Sequence, residues 1–134
     1  MTLVELAAVA AAVLPAGVIA FQVALVAGLP LGEATMGGRA ATVDGVLQPP
    51  YRAIAVGSAV VLVVAAWIVL GRAGMVPIFL GGQALVWGAW VVAGFMALNT
   101  VTNRSGRHPL ERWGTASITL VAAFLVGYVA YAAP

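Results

Sequence analysis

Few side chains in this chain could do chemistry, and most of those lie within long apolar stretches. Gln83, Trp87, Trp90 and Gly94 recur at a spacing of three or four residues, so a helix would set them on one face. An amide beside two indole N–H groups could receive the polar end of a small molecule. The same group could instead fill space and bond a neighbouring helix, a common use of amides between membrane helices. Gln22 is a second amide in an apolar run, on the face that also carries Ala8, Ala11 and Pro15. Pro15 cannot donate a backbone hydrogen bond, so it frees a carbonyl and predicts a kink. Gln22, Gln83, Trp87 and Trp90 are therefore the expected ligand-binding residues, with Gln22 the first expected partner of Gln83.

The charged residues suggest less. Arg104, Arg107 and Arg112 could meet anionic lipid head groups. Glu111 lies four residues after Arg107 and is expected to pair with it in a polar loop. Glu5 falls in the first turn of a helix, where an acid complements the dipole. Cysteine is absent and His108 is the only histidine, so no metal site and no bound cofactor are expected. An enzyme acting on lipid would need paired acids, metal ligands or a nucleophile with its base. None converges in the sequence, and a non-enzymatic role is expected.

The elements that must position these residues follow from composition. Of 134 residues, 63% are hydrophobic and only 7% charged, against about 25% charged in a typical soluble domain. Uncharged runs cover residues 6–32, 53–71, 73–103 and 113–134. About 20 apolar residues in a helix cross roughly 30 Å of hydrocarbon, so each run can span. The expected fold is an all-α integral membrane protein, a single four-span antiparallel transmembrane helix bundle. Its spans fall at about 3–29, 53–70, 75–98 and 114–133, with a long polar loop at 30–52. The turn Gly71-Arg72-Ala73-Gly74 makes spans two and three neighbours. The first span is too long for a signal-peptide core and has no basic residues before it.

Arginine placement sets the orientation. Five of the six arginines fall in 30–52 and 99–113, which places those loops in the cytoplasm and both termini outside. The use of arginine without lysine, with abundant Ala, Val and Gly, points to a bacterial inner membrane. A net charge of +2, scattered along the chain, gives no footprint for nucleic acid. Small multidrug exporters depend on a glutamate inside the first span, and quinone-linked disulfide oxidoreductases need cysteines. Neither pattern is present. Small residues such as Ala89, Ala93 and Ala97 at four-residue spacing permit close packing within the bundle or between copies. The expected role is binding or transport of a small or lipophilic molecule by a homo-oligomer. The alternative is an accessory subunit of a larger membrane complex.

Overall fold

A computed structural model describes residues 1–134, and the chain is mostly helical. Four helical segments are long and apolar enough to cross a membrane: Leu3–Val26, Pro49–Arg72, Gly82–Arg104 and Leu110–Ala132. The first is broken in the middle. Helix α1 (Leu3–Val13) and helix α2 (Ala16–Val26) meet at Leu14-Pro15, as the missing proline N–H requires. Thr2 and Glu5 close the start of α1 reciprocally. The Glu5 N–H donates to Thr2 Oγ1 at 3.2 Å, and the Thr2 N–H donates to Glu5 Oε2 at 2.7 Å. This is a capping box.

The bend divides the labour of the first segment. Helix α1 packs on both α5 (Ala116–Ala132) and α3 (Pro49–Arg72), whereas α2 packs on α3 and scarcely touches α5. Helix α4 (Gly82–Arg104) joins α3 to α5 and makes its most extensive contact with α5. The core between them is built largely of small side chains. Ala7, Ala8 and Ala11 of α1 meet Leu62, Ala65 and Val69 of α3 and Val126, Val129 and Ala133 at the end of α5. Such residues let helix backbones approach closely where dispersion contacts hold the segments together.

Element boundaries differ from expectation: the first segment ends at Val26 and not at Leu29, and α3 runs from Pro49 to Arg72 and not from 53 to 70, taking in residues expected in the loop. The third segment begins at Gly82, seven residues beyond the expected Met75. Pro77, Gly81 and Gly82 are poor helix formers, and residues 75–80 form an irregular connection instead. That connection is pinned where Trp67 Nε1 donates to the Pro77 carbonyl at 3.0 Å and Phe79 meets the Trp67 ring edge-on. At its other end α4 continues to Arg104, through the polar residues expected to form a loop. Asn99 Nδ2 bonds the Phe95 carbonyl at 2.8 Å, and Thr100 Oγ1 bonds that of Met96 at 3.0 Å. These residues satisfy their own polar groups on the helix they belong to. The fourth segment opens four residues early, as a π-helical turn over Leu110–Thr115 after Pro109.

The long connection is ordered and compact. It contains two short 3₁₀ turns, Gly32–Ala34 and Met36–Gly38, and a small hairpin of strands β1 (Thr42–Val43) and β2 (Val46–Leu47). Asp44 and Gly45 both have positive φ, at 50° and 79°, the conformation that a tight Asp-Gly hairpin turn demands. Leu47 is buried against Leu25 and Ala55, which anchors the hairpin to α2 and α3. Helix α3 therefore starts at Pro49, with proline in its first turn where no N–H is needed.

Candidate functional site

At the end carrying this folded connection, the divergence of α2 from α5 leaves a cavity of about 300 Å³. Its walls come from every helical segment. Helix α2 contributes Val18 and Gln22, α3 contributes Ser58 and Leu62, and α5 contributes Thr119. The last two turns of α4 contribute Asn99, Thr102 and Asn103, of which Asn99 and Thr102 bond back to carbonyls of the preceding turn. Thr35, Gly37 and Arg39 close the end, with Arg39 and Thr102 exposed at the mouth. Only 4 of the 15 lining residues are hydrophobic. A polar chamber is thus set among helices that are otherwise apolar.

Two side chains give the chamber its character. Gln22 is 9% exposed, and its Oε1 has no hydrogen-bond partner in the protein. Glu111 is 5% exposed and accepts the Gly37 N–H on both carboxylate oxygens, at 3.0 and 3.2 Å. The expected pairing of Glu111 with Arg107 is corrected by this arrangement. Arg107 lies before the helix begins, against Gly38, while the π-helical turn carries Glu111 inward. The two do not share a helical face. Gly106 lies directly beneath the carboxylate, so a Cβ there would collide with Glu111. Thr100 Oγ1 lies 3.0 Å from Thr119 Oγ1 and ties α4 to α5 beside the chamber.

The other expected site residues lie elsewhere. Gln83 is in the first turn of α4, toward the opposite end from Gln22, and the two do not pair. Trp87 and Trp90 are 63% and 44% exposed, and Gln83 and Gly94 are exposed with them. The inward orientation expected for this face is therefore corrected. The side of α4 that turns inward is Ala89, Val92, Ala93 and Met96, whose small or flexible side chains let α3 and α5 approach. Gln83, Trp87 and Trp90 instead line a shallow outer groove. Arg104, Arg107 and Arg112 are all exposed at the same end as the cavity mouth. Arg104 lies over the Trp113 ring at 3.7 Å and Arg112 flanks it at 5.9 Å. At the far end, Arg72 donates to the carbonyls of Ala130, Ala133 and Pro134 and so closes the C-terminal end of α5.

Of the chamber, the sequence pointed to Gln22 alone. Glu111 carried one usable signal: it is an acid just after proline, at the mouth of an apolar run. No family model matches this chain, and neither a curated protein nor a solved structure matches it.

Proposed function

We propose that this chain is a multi-pass protein of a bacterial inner membrane, folded as a four-span antiparallel bundle, that binds a small molecule in the polar chamber. One observation carries the reading. A buried glutamine and a buried glutamate, from distant parts of the chain, face one chamber inside otherwise apolar helices. Burying polar groups there costs stability unless they are paired, so residues that bear the cost mark candidate functional sites. The arginine distribution supports the orientation: the two connections that meet at Gly37 and Glu111 lie in the stretches carrying five of the six arginines. In this reading they face the cytoplasm, both termini face outward, and Arg104, Arg107 and Arg112 meet anionic head groups.

The test uses the absence of cysteine. In the protein reconstituted in nanodiscs, Asn99→Cys and Thr115→Cys should react with methyl methanethiosulfonate, a small neutral reagent. Ala65→Cys, in the packed core, should not. Equal inertness of all three would remove the chamber as a solute site.

A second reading, as accessory subunit or homo-oligomer, is favoured by the outward aromatic side of α4 and α5. Trp90, Phe124 and Tyr128 wall a groove of about 570 Å³ floored by Gly94, Ala97 and Gly127. A second helix fits such a floor. Crosslinking of Ala97→Cys between copies would support self-association. Capture of a different membrane chain by the same position would favour the subunit reading.

A further inference from the structure

We infer that residues 35–39 form a gate over the chamber, held shut by Glu111, an assignment that rests on reading the chamber as a solute site. The flanks of this stretch are fixed. The Gly32 N–H donates to the Gly45 carbonyl at 2.8 Å, and the Gln48 N–H donates to that of Ala41 at 3.1 Å. Arg52 Nε donates to the Leu47 carbonyl at 2.9 Å, and Leu47 itself is buried on Leu25 and Ala55. Between these anchors the chain crosses the end of the chamber and contributes Thr35, Met36, Gly37 and Arg39 to its wall. Residues 33–40 are joined to the helices by one hydrogen-bonded link, the Gly37 N–H on the two oxygens of Glu111. Their other hydrogen bonds stay within the connection: Ala34 to Leu31, Gly38 to Thr35 and Arg39 to Met36.

The stretch does not hold this shape by preference. Met36, Gly37 and Gly38 stand in a row at φ 52°, 70° and 71°. Glycine reaches that left-handed region freely, but a residue with a side chain does so at a cost. Two features of the facing wall serve the latch. The π-helical turn carries Glu111 inward, and Gly106, which has no Cβ, leaves room for its carboxylate. A bond to a carboxylate is about twice as strong as one to a neutral acceptor. When Gly37 leaves it, the end wall swings out from its anchors at Gly32 and Ala41, and the mouth beside Arg39 widens.

The test compares two neutral thiol reagents of one chemistry at Asn99→Cys in nanodiscs, methyl methanethiosulfonate and its 2-(β-glucosyl)ethyl analogue. The sugar makes the second bulky and insoluble in lipid, so it should enter slowly while the gate is closed. Glu111→Leu removes the acceptor, and Gly106→Ala displaces the carboxylate without changing it. Each should raise the ratio of the glucosyl to the methyl rate by about 10-fold, the smaller end of what loss of a bond to a charged group produces. A change in thiol ionisation cancels in that ratio. Deuterium exchange at the Gly37 amide should quicken by a similar factor, while Ala65→Cys in the packed core stays inert. Glu111→Gln keeps one acceptor oxygen and should fall between. Circular dichroism confirms folding, and this isosteric variant decides if the other two misfold. An unchanged ratio, an unchanged Gly37 exchange rate, or reactivity of Ala65→Cys in the same variants would overturn the gate. If the methyl reagent labels Asn99→Cys while the ratio never moves, the chamber stands and only the gate fails. If it labels nothing there, the chamber reading fails as well.

Discussion

Replacing Gln22 by leucine should make the protein more stable. The amide oxygen is buried and has no partner in the protein. A buried acceptor left unsatisfied costs about 1–3 kcal/mol. Leucine removes that penalty and places a side chain of similar length beside Val18 and Leu62, which are already apolar. At about 3–5 °C per kcal/mol for a chain of this size, the gain corresponds to a rise in midpoint of roughly 3–15 °C. Heating the detergent-solubilised protein while following its intrinsic tryptophan fluorescence measures this directly. The four tryptophans all lie outside the chamber lining, so the signal does not depend on the substituted site. A fall of several degrees would refute the reasoning, because the amide would then be making a bond the fold needs.

Four further outcomes are expected. Gly106→Ala should push the Glu111 carboxylate from its seat and break the Gly37 link. Loss of a bond to a charged acceptor is worth about 1.5–3 kcal/mol, and trypsin should cut at Arg39 faster in inside-out vesicles. Single cysteines at 34–48 and 105–109 should be shielded in intact cells from an impermeant thiol reagent, and those at 75–80 should be labelled; the opposite pattern would reverse the orientation. Thr2→Ala should cost about 1 kcal/mol through loss of the capping box at α1, read as a lower thermal midpoint. Brominated lipid should quench Trp87 and Trp90 in a variant whose other tryptophans are phenylalanine, and protection of both would show that a partner covers the α4 groove.

How much of this was legible depends on the kind of information each feature needs. Charge spacing located four apolar helical segments because an uncharged run of that length has few alternatives. The bend at Pro15 was legible for the same local reason, a missing N–H. The register of the third segment was not. Its polar end, Asn99 to Asn103, resembles a solvated loop until one sees Asn99, Thr100 and Thr102 each bonded to a carbonyl of the turn before it. Starting that segment seven residues later puts Gln83 at a helix end, and packing of the Ala89, Val92, Ala93 and Met96 side on α3 and α5 leaves Trp87 outward, so the face that looked most chemical is peripheral. The chamber was beyond reach because its walls come from separate segments, and Glu111 enters it only through a π-helical turn. The capping box, by contrast, is a purely local feature. Thr2 and Glu5 stand at the required spacing in the sequence.

The bend at Pro15 has one more consequence. Beyond it, toward Leu3, α1 packs against α3 and α5 through Ala7, Ala8 and Ala11 on Leu62, Ala65, Val69, Val126 and Val129, with Arg72 bonded across the C-terminal end of α5. The molecule in this shape is a cup and not a tube. If it takes up a solute as proposed, filling would be from the Arg39 side, and in a planar bilayer the chain should carry no steady ionic current. Passage to the far side would require the two halves of the first segment to trade their packing, with α1 leaving α5 as α2 closes upon it. Pro15 is the natural pivot for that exchange. Any net movement of solute by this chain should therefore saturate and proceed one cupful per cycle, with kinetics set by the bending of a single helix.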